Sequence, residues 1–596
     1  MYKLKDFKTG QEVKTEDFVF AGEKNPWEVE MDMSLVKQKI NVDYFTSAEP
    51  CLSKYLPLMP IRNPSNFISL RETATPLVRS KTIAKELDID LYFKVEGKNP
   101  TGSFKDRGSA IDVSVAREIG AKGLILASTG NMAASCSCYA AAAKMPCYII
   151  VPEGVSMSKL AQVISFGGKI IQVKGSYNDA ATLAYKIAKS KNFYLAGDYA
   201  FRVEGQKTAA FEIVDQMLFQ EVDEVIIPVG CGTNITAYLK GFSDYKELGF
   251  IKKIPRLAGV QAHGANALVR AFNENSKHVN SLKRADTIAS AIAVPYPIDG
   301  DKALKAIYTS GGLALDVTDT EMLQAQYLLS TKEGLFVEIA CAATIAYLLK
   351  LKSQNRLKKN QKYVCILGGD GLKDPNVVLK AAIQPPIIYP NEKEFNKLYS
   401  SNFLENEPML FVERDTIIFE EEPSLDIVSK KLIKLFGAHY DKFFAEKVQK
   451  RISDFLKKGK KISISDLQDI VEASREMTDL KKLNGKLRVV DFQVTTGKDK
   501  VSKAAVTVEK NSTLHYAENQ GVGPVDAVLK SLCKACPEIS YKLTDYKVQK
   551  IRWKGADAAV HVELKMVRSG INSVGKGVSP DIIQASVEAF TDAYNI

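Results

Sequence analysis

Between residues 91 and 261, short apolar runs alternate with segments of helical period, and this alternation limits the possible folds more than any other feature. The apolar runs are residues 91–96, 123–128, 147–151, 169–173, 224–228 and 257–261. Residues 104–119 and 177–190 carry apolar side chains every three or four positions, 132–144 reads as an alanine-rich helix and 158–166 as a further helix. Strands alternating with helices predict parallel sheets covered by helices on both faces, an α/β fold. In such sheets ligands bind beyond the carboxyl ends of the strands, so function is expected in the loops that follow strands.

Three such loops stand out. The first is Lys98-Asn-Pro-Thr-Gly-Ser-Phe-Lys105-Asp-Arg-Gly-Ser109, where Pro100 and Gly102 punctuate a turn and Lys105 falls at the mouth of the next helix. Helix N–H groups and the positive dipole end disfavour a charged amine there, which suits a nucleophile or a Schiff base. A solvated lysine on an amphipathic helix would show the same local pattern. The second is Ala127-Ser-Thr-Gly-Asn131-Met-Ala-Ala-Ser135. Ser128 and Thr129 form a hydroxyl-rich turn at a helix N-terminus, suited to a carboxylate. Asn131 can donate to a phenolate oxygen on a cofactor ring or serve as an ordinary N-cap. The third is Pro228-Val-Gly230-Cys-Gly232-Thr-Asn234, whose small residues let backbone N–H groups reach a phosphate; a tight turn without a ligand is the alternative. Together the loops offer an amine, an anchor for a carboxylate and a ring oxygen, and a phosphate cradle. An aldehyde-bearing phosphorylated cofactor and an amino-acid substrate require that set.

Residues 70–376 resemble the threonine synthase family, pyridoxal-phosphate enzymes of the tryptophan-synthase-β fold group. The likeness lies in Asn99-Pro-Thr-Gly-Ser-Phe-Lys-Asp-Arg-Gly108, Ser128-Thr-Gly-Asn131, Arg202-Val-Glu-Gly-Gln-Lys-Thr208, Pro228-Val-Gly-Cys-Gly-Thr-Asn-Ile-Thr-Ala237 and Gly369-Asp-Gly-Leu-Lys-Asp-Pro375. Thr73-Ala-Thr-Pro-Leu77 resembles the entry segment of enzymes of this fold. The resemblance implies a two-lobed parallel-sheet fold with pyridoxal 5'-phosphate held on Lys105 as a Schiff base. It implies that Asn131 contacts the ring oxygen and that Gly230, Cys231, Gly232, Thr233 and Asn234 hold the cofactor phosphate. It implies that Ser128, Thr129 and Arg202 bind substrate, with Lys105 moving protons at Cα and Cβ. In this family O-phosphohomoserine and water become threonine and phosphate. The chain departs from the family pattern at Gly368, where threonine is usual, at Asp370 for histidine, at Ala196-Gly-Asp-Tyr-Ala-Phe201 and at Glu338-Ile-Ala-Cys-Ala342. A cysteate-synthase-like replacement, a threonine or serine ammonia-lyase, and a non-catalytic amino-acid sensor are the alternatives on the same scaffold.

A length of 596 residues implies several domains. The net charge of +11 comes without a polybasic block, so nucleic acid is not an expected partner. No apolar run reaches membrane-span length and no signal-peptide core follows Met1, so neither membrane nor export is expected. Nine scattered cysteines fit a reducing cytoplasm. Cys533 and Cys536 have C-x-x-C spacing inside an apparent helix and read as packing residues. The five histidines form no ligand cluster, so no metal is expected.

After the catalytic region (1–383), a proline-rich stretch (384–390) opens a linker and lysine-rich helical segment that extends to residue 486. Residues 487–596 alternate apolar runs (487–495, 503–508, 546–553, 558–567) with helices opened by Gly521-Val-Gly-Pro-Val-Asp-Ala527 and Gly575-Lys-Gly-Val-Ser-Pro-Asp-Ile-Ile583. That pattern predicts a small α+β module of two similar halves. It resembles the C-terminal allosteric domain of isopropylmalate and citramalate synthases through Gly521–Ala527, Leu543-Thr-Asp-Tyr546 and Gly577-Val-Ser-Pro-Asp-Ile-Ile-Gln-Ala-Ser586. Those domains pair across a two-fold axis, which implies a homodimer or larger homo-oligomer with isoleucine or leucine as effector.

Overall fold

The structure, a computed structural model, describes residues 2–13, 27–41, 44, 51–155, 157–197, 199–381, 390, 392–393, 395–396, 417–436, 442–457, 461–463, 466–467, 470–471, 474, 487–497, 500–510, 513–536, 541–550, 560–568, 571–579 and 581–595. The chain divides into two units, Met1–Lys380 and Ala381–Ile596. Within the first, the N-terminal segment, which has no clear period, forms β1 (Tyr2–Asp6), β2 (Glu12–Val13) and β3 (Trp27–Met31), an antiparallel sheet in the order β2-β1-β3.

The predicted alternation then follows. It runs β4 (Leu77–Arg79), β5 (Asp90–Val95), α1 (Lys105–Glu118), β6 (Leu124–Ala127), α2 (Asn131–Ala142), β7 (Cys147–Pro152), α3 (Met157–Ser165), β8 (Lys169–Val173), α4 (Tyr177–Lys191) and β9 (Tyr194–Leu195). It continues with α5 (Ala200–Gln206), α6 (Thr208–Gln216), β10 (Glu224–Pro228), α7 (Thr233–Glu247) and β11 (Arg256–Ala262). The unit closes with α8 (Gly300–Ser310), β12 (Ala314–Val317), α9 (Asp319–Glu333), α10 (Ile339–Ser353) and β13 (Lys362–Leu367). The strands sort into a larger sheet, β12-β11-β10-β13-β5-β4, and a smaller one, β8-β7-β6-β9. Every pair in the smaller sheet is parallel. The larger sheet is parallel except at its edge, where β4 runs antiparallel to β5. The chain therefore leaves the larger sheet after β5, builds the smaller lobe, and returns.

Helix α1 makes that crossing. Its sequence period suggested one apolar face, but every residue from Asp106 to Ala116 is buried, because α1 packs against both α2 and α5. Its polar side chains are matched internally instead. Arg107 donates to Glu96 (2.6 and 2.8 Å) and to Glu212 (2.7 and 2.9 Å), and also to Thr75 and Thr208. Lys94 joins Glu212 at 2.6 Å. Burial alone would raise the Glu212 carboxyl, but Arg107 and then Lys94 hold it below its ordinary value, whereas burial draws Lys94 down. Arg107 is thus the principal cation of the cluster.

In the second unit, β14 (Ile417–Phe419) pairs antiparallel with β15 (Ile462–Ser463), beside α11 (Leu425–Phe436) and α12 (Lys442–Lys457). Phe444, Val448, Ile452 and Phe455 recur at helical spacing on α12 and are all buried, leaving its lysines on the other face. Residues 384–389 of the proline-rich stretch and 475–486 of the helical expectation lie outside the described residues.

The rest of the unit is a β-β-β-α pattern made twice. The first copy is β16 (Leu487–Gly497), β17 (Lys500–Lys510), β18 (Thr513–Gly521) and α13 (Pro524–Ala535). The second is β19 (Tyr541–Lys550), β20 (Val560–Arg568), β21 (Ile571–Ser579) and α14 (Ile582–Asn595). Both sheets are antiparallel. Pro524 stands in the first turn of α13 as expected, and residues 551–553 and 558–559 lie outside the described residues. Two strands depart from the sequence expectation. β18 was not anticipated, and 575–579 form the end of β21 rather than a turn opening a helix. Gly575 and Gly577 serve close packing: a Cβ there would lie 2.1 Å from the Ala589 carbonyl oxygen and 2.0 Å from that of Ala585. Both carbonyls belong to α14.

Candidate active site

The carboxyl ends of the parallel strands converge on a cavity of about 1260 Å³. Lys105, Ser128, Thr129, Asn131, Gly230, Cys231, Gly232, Thr233 and Asn234 all line it. Three loops separated by up to about 130 residues therefore meet, as expected for a ligand at the carboxyl ends of strands.

Lys105 is the first residue of α1, and its neighbours fix it from both sides. Asp106 accepts from the Thr101 N–H (2.7 Å) and hydroxyl (2.6 Å), closing the turn at Pro100 and Gly102. Arg107 anchors the same helix turn in the buried cluster. The loop is also clipped to the segment after β13: the Phe104 N–H donates to Gly368 O and the Asp370 N–H to Gly102 O, each at 2.9 Å. The Lys105 ammonium lies 4.8 Å from the centre of the Phe104 ring.

Asn131 is not an N-cap. Gly130 holds that position, and Asn131 opens α2 with its side chain turned elsewhere. Its amide nitrogen donates to both carboxylate oxygens of Glu338, at 3.0 and 2.8 Å. Glu338 caps α10 and is buried, and burial pushes its carboxyl up to about 7 despite the Asn131 hydrogen bond and nearby Lys373. Asp374 and Asp370 push it in the same direction as burial.

In the third loop, Gly232 precedes the 15-residue helix α7 and has φ +94°. A Cβ there would sit 2.7 Å from the Asp299 carbonyl oxygen, so the turn requires glycine. Asp299 braces the loop: it accepts from the Thr233 hydroxyl at 2.7 Å, and its N–H donates to Cys231 O at 2.9 Å. The Thr233 hydroxyl is thereby engaged, and backbone N–H groups at the helix N-terminus are the donors facing the cavity. A long helix whose first turn follows a side-chain-free loop is suited to a phosphate.

Arg202 differs from expectation. It does not line the cavity. Its guanidinium is fully buried, 2.7 Å from Asp112, and donates to Gly197 O, Lys105 O and Ser109 Oγ. The arginine braces the backbone of the lysine loop rather than presenting its charge to a substrate. At Gly368 a Cβ would lie 3.1 Å from the Phe104 ring, a tight contact that a small shift of the ring would relieve. Cys341 lies alongside, its sulfur accepting from the Gly369 N–H at 3.2 Å, and burial raises its thiol.

Sequence reasoning gave no role to Glu338, Lys373 or Asp299. Lys373 enters the cavity wall, donates to Thr101 O at 3.0 Å and contacts Gln162 of α3. Burial lowers its amine, while Glu338, Asp106 and Asp370 oppose that shift. Glu338 and Lys373 stand inside runs compared with the family, Glu338-Ile-Ala-Cys-Ala342 and Gly369–Pro375, but nothing local gave either a role, and Asp299 carried no signal beyond its place after β11. Among the described residues no cluster of His, Cys, Asp or Glu is arranged for a metal, and no helix is long and apolar enough to cross a membrane.

Residues 68–369 match the family model described as pyridoxal-phosphate dependent enzyme. The threonine synthase of Methanocaldococcus jannaschii is 44% identical over 361 residues, which cover 60% of this chain and 89% of that protein. The chain belongs to the threonine synthase family of pyridoxal-phosphate-dependent enzymes. A threonine synthase of Methanosarcina acetivorans is 36% identical over 66% of this chain and 97% of its own length, and one of Halalkalibacterium halodurans 38% over 58% and 95%. Its family's cofactor is pyridoxal phosphate, and the cavity fits one: the braced glycine loop offers phosphate donors, and a lysine stands in the same wall. Residues 461–596 match the LeuA allosteric (dimerisation) domain.

Proposed function

We propose that the enzyme converts O-phospho-L-homoserine and water to L-threonine and phosphate. The observation that carries this reading is the gathering of Lys105, Ser128 to Asn131 and Gly230 to Asn234 on one cavity, in a chain that spans 89% of a threonine synthase at 44% identity. In this reading Gly230 to Asn234 hold the cofactor phosphate with backbone N–H groups, and Asn131 faces the ring oxygen. Bound there, pyridoxal phosphate supplies the electron sink that lets protons leave Cα and Cβ and phosphate leave Cγ of the substrate.

The chain's own groups do the remaining work. Ser128, Thr129 and the N-terminus of α2 hold the substrate carboxylate. The Lys105 amine takes the proton from Cα and handles the proton at Cβ, because it stands at the cavity wall on a turn clipped by Asp106, Arg202 and the Gly368 segment. After phosphate leaves, Cγ takes up a proton to become the methyl group, water adds its hydroxyl at Cβ, and Cα regains a proton.

In the test, phosphohomoserine and pyridoxal phosphate are supplied, and threonine and phosphate are measured together. Equal release supports the reading. Lys105→Ala should lower turnover by about 100- to 10,000-fold or more while leaving the unfolding midpoint in place. Silence from a normally loaded wild-type enzyme would overturn the substrate assignment and point to the departures at Ala196 and Gly368; phosphoserine with sulfite is then the next substrate.

For the C-terminal module (487–596) we propose feedback control by isoleucine or leucine in a homodimer or larger assembly of a cytoplasmic enzyme, supported by the LeuA-type match. Allosteric coupling of about 1–3 kcal/mol predicts a change of roughly five-fold or more in apparent substrate affinity with effector present. Unchanged kinetics in saturating branched-chain amino acids would overturn it.

A further inference from the structure

Glu338 and Asn131 approach the cavity from different lobes. Asn131 opens the helix that follows β6 of the smaller sheet, and Glu338 caps α10, which packs on the larger sheet. Their hydrogen bond therefore joins the two lobes at the cavity wall. Glu338 is also held from behind. Its N–H donates to Gly369 O at 3.1 Å, and a Cβ on Gly369 would lie 1.9 Å from its carboxylate. The carboxylate thus rests on bare backbone and has little room to move. Among the described residues, Asn131 is the one side chain that donates a hydrogen bond to it.

This contact has a chemical direction. An ionised carboxylate only accepts, so it holds the NH₂ end of the Asn131 amide. A protonated carboxyl also donates, and it can be met by the amide oxygen instead, which frees both amide hydrogens. The two protonation states of Glu338 therefore leave different hydrogen-bonding groups of Asn131 facing the cavity.

We propose that Glu338 is an ionisable positioning residue for the cofactor's ring-oxygen subsite, its single proton deciding how Asn131 presents its amide there. The inference rests on the reading in which Asn131 faces the ring oxygen. With Glu338 ionised, part of the donor capacity of Asn131 is drawn away from the ring. With Glu338 protonated, the NH₂ group is released toward it. A phenolate oxygen is stabilised by such a donor, so the electronic state of the bound ring follows the proton on Glu338.

The surrounding charges place this switch in a useful range. Burial raises the carboxyl to about 7. Asp370 and Asp374, from the segment after β13, act in the same direction, and Lys373 of that segment opposes them. Cys341, one turn along α10, stays protonated because burial raises its thiol. Lys105 lines the same cavity from α1.

The test is a pH titration of the visible absorbance of the pyridoxal-phosphate-loaded enzyme, wild type beside Glu338→Gln and Asn131→Ala. The expected result is a wild-type transition centred near neutrality that is lost in both variants. Loss in Asn131→Ala with an unchanged transition in Glu338→Gln would overturn the role of Glu338 and leave the ring-oxygen reading standing. A wild-type spectrum and titration in Asn131→Ala would overturn the reading beneath it, and the inference with it. Should Glu338→Gln fail to fold, infrared difference spectra of the wild-type holoenzyme decide the matter. A protonated-carboxyl band that titrates with the visible transition supports the proposal, and a visible transition without such a band overturns it.

Discussion

Around Arg107, burial gathers charges of both signs: Arg107 and Lys94 face Glu96 and Glu212 at 2.6–2.9 Å. Around Glu338, burial sets one carboxylate against an uncharged amide. The first cluster lowers the Glu212 carboxyl, and the second raises that of Glu338 to about 7. Both lie in the same unit, and each involves a group at the end of β5 or beside the loop that follows it. Burial alone therefore does not make a group inert. Where partners of opposite charge are complete, the protonation states are fixed and the cluster serves as scaffold. Where the partner is neutral, a proton stays exchangeable near neutral pH, which a catalytic cavity can use.

The sharpest way to break this comparison is to remove the central cation. Arg107→Met leaves Glu96 and Glu212 buried without it, at a cost of about 3–5 kcal/mol, measured by urea unfolding. A loss well under 1 kcal/mol would mean that the cluster is not a closed scaffold. Glu338→Gln should act in the opposite direction and depend on pH. The folded state holds the Glu338 proton more tightly than the unfolded chain does. Wild-type stability is therefore lost as pH rises from the ordinary carboxyl value of 4.5 toward about 7. Above that range the glutamine variant of the cofactor-free protein should be more stable by on the order of 3 kcal/mol, and below pH 4.5 the two should converge. Parallel stability curves would contradict the raised carboxyl. The smallest effect belongs to an exposed ion pair: Lys359 and Asp88 meet at 2.7 Å in solvent, and Lys359→Gln should leave the unfolding midpoint unchanged.

The strand–helix alternation of 91–261 was legible because buried parallel strands need unbroken apolar runs and the helices between them repeat at a distinct period. The three loops were legible as a set: each alone has an ordinary explanation, but an amine, a carboxylate anchor and a phosphate cradle in turn after strands are what one cofactor and substrate require. Other features were hidden for specific physical reasons. Nothing local reports that α1 is enclosed on all sides, since its polar residues are matched by Glu96 and Glu212 from elsewhere in the chain. Arg202 looked like a substrate ligand until Asp112 supplied its counter-charge. Glu338 needed the fold to bring it to Asn131, 207 residues away. In the C-terminal module, Gly575 and Gly577 resemble turn residues in sequence but are the places where α14 presses on β21.

The pairing of β5 with β13 bears on how the chain is made. Asp90 aligns with Lys362, so one of the clips on the lysine loop comes from a segment that leaves the ribosome about 270 residues later. At the usual pace of translation this is a delay on the order of tens of seconds. Meanwhile the smaller lobe, contiguous in sequence from β6 to β9, has all its strands available to pair. A nascent chain stopped before β13 would carry Lys105, Asn131 and the glycine loop, yet lack the strand that joins β5 to the rest of the larger sheet.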